Sequence, residues 1–154
     1  LAQLLKEIKK EIKKASDKDE KIAFRLNGTS DIDFLYLLNK NLDFDIELLT
    51  YDKVYFYDYT KSIARAKRYK DFRNYTLTFS KSETNDKEVK EALNLGINVA
   101  AVFKDNLPQK YKGIKVIDGD KSDLEMINHK NIILGLKAKG DAKKDKTGFV
   151  ITNY

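Results

Sequence analysis

The 154-residue sequence has no cysteine, no tryptophan, one histidine and one proline. Without cysteine there is no disulfide framework, and no thiolate metal site or iron–sulfur cluster is held within this chain. His129 is too solitary for a zinc site or a Ser-His triad, and its polar neighbours read it as a surface residue. No apolar run approaches the ~18 residues that span a bilayer and no signal peptide opens the chain, so the reading is cytoplasmic, with no membrane partner. Internal repeats and low-complexity linkers are also missing, which leaves a single domain over residues 1–154.

What is present describes a globular chain: 42% hydrophobic residues, with nine tyrosines and eight phenylalanines. The 30 Lys and Arg against 24 Asp and Glu give a net charge of +6, which mildly favours polyanionic partners such as nucleic acid. Abundant lysine and scarce proline are equally what an AT-rich genome yields, so charge alone decides little.

Leu1, Leu4, Leu5, Ile8, Ile12 and Ala15 recur at helical spacing among lysines, predicting an amphipathic helix over residues 1–15. The chain begins at Leu1, inside that pattern and without a methionine, so the reading allows for a piece of a longer protein. "KIAFRLN" then alternates as a strand, Ser30 or Asp31 is placed to cap a helix through Leu38, and "YDKVYFYDYT" reads as a second strand. A basic helix over residues 62–72, the strand "YTLTFS", a helix capped at Asn85 or Asp86 and stopped at Gly96, and the strand "INVAAVF" follow. "IKVID", "NIILGLKAKG" and "GFVITNY" complete the chain.

Strand and helix alternating in units of roughly 25 to 35 residues predict βαβ crossovers and an α/β fold with a parallel or mostly parallel sheet. The chain is too short for eight such units, so an open curved sheet or an incomplete (βα) barrel is expected. In either architecture the ligand site lies at the carboxyl ends of the parallel strands. Those ends carry Arg25, Asn27, Ser30 and Asp31; then Tyr59, Thr60, Lys61 and Ser62; then Ser80, Lys81 and Ser82; then Asp118, Asp120 and Asp123; and finally Lys137, Lys139 and Lys143. Of these, Arg25, Asn27, Ser30, Tyr59, Thr60, Lys61, Ser62, Ser80, Lys137 and Lys139 are the candidate ligand- and phosphate-binding residues. Asp31, Asp118, Asp120 and Asp123 are the candidates for a divalent cation, because clustered carboxylates supply the oxygen ligands that Mg2+ or Ca2+ prefers.

Each candidate also has a purely structural reading. Serine and threonine after a strand serve as caps or turn hydroxyls, and Asp118-Gly119-Asp120 fits a turn in which aspartates accept backbone N–H groups. "DGDKSDLEMIN" lacks the central glycine and closing glutamate of an EF-hand, and "GLKAKGDAKKDKTG" lacks the GxxxxGK(S/T) order of a P-loop. Arg65, Lys67, Arg68, Lys70 and Arg73, interleaved with Tyr69, Phe72 and Tyr75, fit base stacking with phosphate contacts, but equally a helix exposing its basic face.

The segments "YDYTKS", "LTFS", "VAAVF", "VIDGDKSD" and "ILGLKAKGDAKKDKTGFV", in this order, resemble the gene-product-88-like family encoded by phages, plasmids and related mobile elements. The similarity covers roughly residues 22 to 151. Tyr59, Thr60, Lys61, Ser62, Ser80, Asp118, Gly119, Asp120, Asp123, Lys137, Lys139 and Gly140 stand where the family motifs stand, whereas Thr29-Ser30-Asp31 replaces a Ser-Gly-Asp. The resemblance implies a mobile-element origin. It also implies an upstream region of clustered cysteines comparable to radical-SAM-like barrels; this chain has none, so no iron–sulfur role carries onto its residues.

Three functions fit. The first is a mobile-element protein binding a phosphate-bearing ligand, nucleotide or nucleic acid at the strand ends, with a divalent cation sharing the charge. The second is a non-catalytic protein-interaction or anti-defence factor meeting a host or phage protein. The third is a fragment of a radical-SAM-like enzyme scaffold.

Overall fold

The computed structural model describes residues 1–42 and 52–154. Tyr51, the first residue of the stretch expected to form the second strand, lies outside them. Helix α1 (Ala2–Asp17) is followed by β1 (Ile22–Phe24), α2 (Phe34–Leu42), β2 (Val54–Thr60), α3 (Ile63–Tyr69), β3 (Tyr75–Ser80), α4 (Asp86–Asn94) and β4 (Val99–Phe103). A short strand β5 (Lys110–Tyr111) precedes β6 (Ile114–Asp118), α5 (Glu125–Asn128) and β7 (Ile133–Lys137). A 3-10 turn (Gly140–Lys144) leads to β8 (Val150–Ile151).

The described strands form one sheet in the order β1-β2-β3-β4-β7-β6-β5, parallel from β1 through β6, with β5 antiparallel to β6. This is the mostly parallel α/β sheet that the alternating elements predict, and it is not closed into a barrel. The pairing of β3 with β4 ends at Ser80 and Ala100, and β8 then pairs with Val102 and Phe103 of β4. Since β7 holds the other edge of β4 throughout, β8 occupies the edge that β3 vacates. The two central strands therefore part at their carboxyl ends.

Strand alternation sorts the side chains onto two faces. Val54 and Phe56 of β2 face outward, where Leu5 and Ile8 of α1 and Leu35 and Leu38 of α2 cover them. Val89 and Ala92 of α4 do the same for Phe79 and Val99. Phe56 and Phe79 are essentially inaccessible to solvent, and each such side chain contributes about 1.5–3 kcal/mol by burial. On the opposite face Tyr57 and Tyr59 meet Met126 of α5, which also packs on Ala100 and Leu134. Arg25, just beyond β1, reaches Asp123, just beyond β6, at 3.1 Å although four strands separate β1 from β6. The sheet is thus curved around α5.

Two local readings differ from the sequence expectation. Helix α2 starts at Phe34, and its first turn is capped by Asp33, whose carboxylate accepts from the Tyr36 N–H at 3.1 Å, while Ser30 and Asp31 are engaged elsewhere. Asn85 stands at the N-terminal boundary of α4, but its amide turns back to the Ser82 N–H and the Ser80 carbonyl and leaves the helix uncapped. Gly119 lies where β6 closes onto β7: a Cβ there would come within 2.6 Å of Leu134 Cγ, so no larger residue fits that approach without displacement.

Candidate functional site

Beneath the strand ends lies a buried polar network. Asp58 of β2 is 2% exposed; it accepts from the Asn27 side-chain amide and lies 3.5 Å from Arg65 Nη2. Burial pushes its carboxyl above the usual aspartate range, against the Asn27 hydrogen bond and the Arg65 charge that favour ionisation. Asn27 uses its oxygen to accept from Ser30 Oγ at 2.7 Å and from the Ile32 N–H at 3.0 Å, which folds the loop after β1. Asp31 accepts from Arg65 Nη1 at 2.6 Å, from Thr60 Oγ1 at 3.0 Å and from the Lys61 N–H at 2.7 Å. Thr60 Oγ1 in turn accepts from the Ser62 N–H, and Ser62 Oγ accepts from the Arg65 N–H as the cap of α3. Asn27, Ser30, Asp31, Thr60 and Ser62 therefore hold two loops together, and none of them lines the cleft that opens above.

Above this network opens a cleft of about 630 Å3 at the carboxyl ends of the strands. Tyr59, Ala100, Val102, Leu136 and Phe149 give it apolar walls. Its polar groups are Arg25, Lys61, Lys81, Lys139, Asp120 and Asp123, with Ser80 beside them. It lies where β3 and β4 part and β8 enters, so the divergence of two central strands creates the space.

The charges in the cleft are unequally satisfied. Arg25 pairs with Asp123, and its guanidinium sits 5.0 Å from the centre of the Tyr59 ring. The Tyr59 hydroxyl donates to Asp123 at 3.2 Å; burial and then the Asp123 charge push its pKa well above that of an ordinary tyrosine. Lys139 donates to Asp120 at 2.7 Å, which together with the Lys137 N–H holds the Asp120 carboxyl below the usual range. Lys81, only 7% exposed, donates to the carbonyls of Ser82 and Gly148 at 3.0 and 3.3 Å. The Lys61 ammonium is exposed and has no hydrogen-bond or ion-pair partner among the described residues.

Of the predicted ligand residues, Arg25, Tyr59, Lys61, Ser80 and Lys139 line one cleft, together with Asp120 and Asp123. Lys137 faces a neighbouring bay. The four aspartates are not gathered: Asp31 sits on Arg65, Asp120 on Lys139, Asp123 on Arg25, and Asp118 accepts from the Asp120 N–H at 3.0 Å in a tight turn. Among the described residues no three carboxylate or imidazole side chains are grouped to hold a metal ion. Lys81, read with Ser80 at the third strand end, also lines the cleft, whereas Phe149 was not anticipated and enters only because the final strand returns to β4.

The basic helix resolves toward its structural reading. Arg65 is buried against Asp31 and Tyr75, Arg68 pairs with Asp33, Lys67 with Glu91, Lys70 with Asp71 and Arg73 with Asp52. Tyr69 and Tyr75 are buried in the core and offer no stacking surface. No helix among the described residues is long and apolar enough to cross a membrane.

No curated protein and no solved structure matches the chain. The family model described as Gene product 88 matches residues 1–153, which takes in α1 as well as every segment of the cleft, and the chain belongs to that family.

Proposed function

We propose that the protein binds a phosphate-bearing ligand of nucleotide size in the cleft at the carboxyl ends of its parallel strands. The observation that carries this reading is Lys61, a cation with no partner among the described residues, lining a cavity with apolar walls. A volume of about 630 Å3 suits a small organic ligand, and a few polar groups on an apolar surround are the usual composition of such a site. Lys61 and Lys139 would neutralise the phosphate, with Arg25 released from Asp123 as a third donor, while Tyr59 and Phe149 offer ring faces to a base. Lys81, held by two carbonyls and 3.6 Å from the Asp86 carboxylate, would add a fixed, partly compensated positive charge to the wall. The mobile-element origin and the cytoplasmic location implied by the sequence belong to the same proposal, and phage or plasmid genes beside its own are the neighbourhood expected.

Calorimetric titration with nucleoside monophosphates tests it. Affinity should fall as salt rises, and Lys61→Ala should weaken binding about tenfold, the cost of one charge-assisted contact, without lowering the melting temperature. Affinity indifferent to both salt and Lys61→Ala would remove the proposal.

A further inference from the structure

Two cavities meet at Lys139. Besides the cleft, a bay of about 640 Å3 is lined by Lys104, Asp105, Asn106, Lys137 and Lys143, with Lys139 shared between the two. The topology puts the bay where two adjacent parallel strands end: Lys104 follows the last residue of β4, Lys137 is the last of β7, and Lys143 stands on the 3-10 turn beyond it. The ammonium groups of Lys104, Lys137 and Lys143 are exposed and have no partner among the described residues, and Asp105 is the only carboxylate lining the bay. The two cavities differ in chemistry. The cleft has aromatic and aliphatic walls suited to a base, whereas among the described residues Ala138 is the only apolar side chain lining the bay.

A mononucleotide in the cleft would leave those three lysines unused. A duplex keeps its bases stacked inside and could not insert one into the cleft without flipping it out. A single strand combines the two demands, because it binds through bases on ring faces and phosphates along a basic groove. We infer that the ligand is a short single-stranded oligonucleotide, with one nucleotide in the cleft and the adjoining phosphates crossing Lys139 into the bay. This inference rests on the proposed ligand-binding cleft and extends it.

The test uses fluorescein-labelled tetrathymidylate, followed by anisotropy, beside thymidine monophosphate, followed by calorimetry, with the wild-type chain and the double variant Lys104→Glu/Lys143→Glu. The double variant should bind tetrathymidylate about tenfold more weakly, with the slope of log K against log salt shallower by ~1.4 for two lost phosphate contacts. Its affinity for thymidine monophosphate should be unchanged, which also shows that it is folded. If wild type binds tetrathymidylate no more tightly than the mononucleotide, or the double variant binds it unchanged, the inference is overturned while the cleft reading stands. If wild type binds neither probe, both fail.

Discussion

At the scale of single residues, the strand-end motif Tyr59-Thr60-Lys61-Ser62 divides its labour by direction. Tyr59 and Lys61 face the cleft, while Thr60 is buried and Ser62 caps α3. Thr60 and Ser62 work downward, into the hydrogen bonds that fix where Lys61 stands. Asp31 is the clearest case of a residue whose type suggested one chemistry and whose surroundings give it another. It compensates Arg65, which is 6% exposed, and accepts the Lys61 N–H, so its carboxylate is consumed by the scaffold. Asp31→Ala should therefore lower stability by about 2 kcal/mol, the cost of depriving a buried guanidinium of a partner, discounted because Asp31 itself keeps contact with solvent. Urea unfolding measures it, and the loss should be the same with and without added Mg2+. A loss that appeared only when Mg2+ was present would return Asp31 to the role of metal ligand.

At the scale of elements, the segment between the 3-10 turn and β8 is organised chiefly by one side chain, with Lys81 adding a hydrogen bond to the Gly148 carbonyl. The Asp145 carboxylate accepts from Thr147 Oγ1 at 2.6 Å and from the backbone N–H groups of Thr147, Gly148 and Val150, and these bonds set the approach of Phe149 to the cleft. The Thr147 hydroxyl first, and then the Val150 N–H, hold its pKa down to about 2. Because the folded-state value lies below that of a free aspartate, the stabilisation is complete above the ordinary value and is lost as pH falls through the folded one. Amide protection factors at Thr147, Gly148 and Val150 should accordingly drop between pH ~4 and ~2, and in Asp145→Ala they should already be low at neutral pH. Protection that held unchanged to pH ~2 would show that the loop is ordered by something other than this carboxylate. Helix α3 and the turn after it teach the complementary lesson: five cations close together in sequence look like a polyanion surface, yet each has its own anionic partner, and only the fold reveals the pairing.

For the molecule as a whole, the class of fold was legible because strands such as Val99–Phe103 are continuously apolar and alternate with helical stripes, and this forces parallel crossovers. The location of the cleft was legible for the same reason, since parallel strands carry their ends to one rim. What could not be read was pairing at a distance. The Arg25–Asp123 and Asp31–Arg65 bridges join residues 98 and 34 positions apart, and no local pattern announces either. The divergence of β3 from β4, filled by the two-residue strand Val150–Ile151, was equally invisible, because nothing in "GFVITNY" says which strand it joins. The central claim is that the ligand enters where those strands part. It is tested most directly by titrating isotope-labelled protein with thymidine monophosphate and mapping the amide shifts. The account predicts that they cluster at Tyr59, Lys61, Lys81, Gly119, Lys139 and Phe149. Shifts confined to the lysines of α1, or no shifts at millimolar nucleotide, would contradict it.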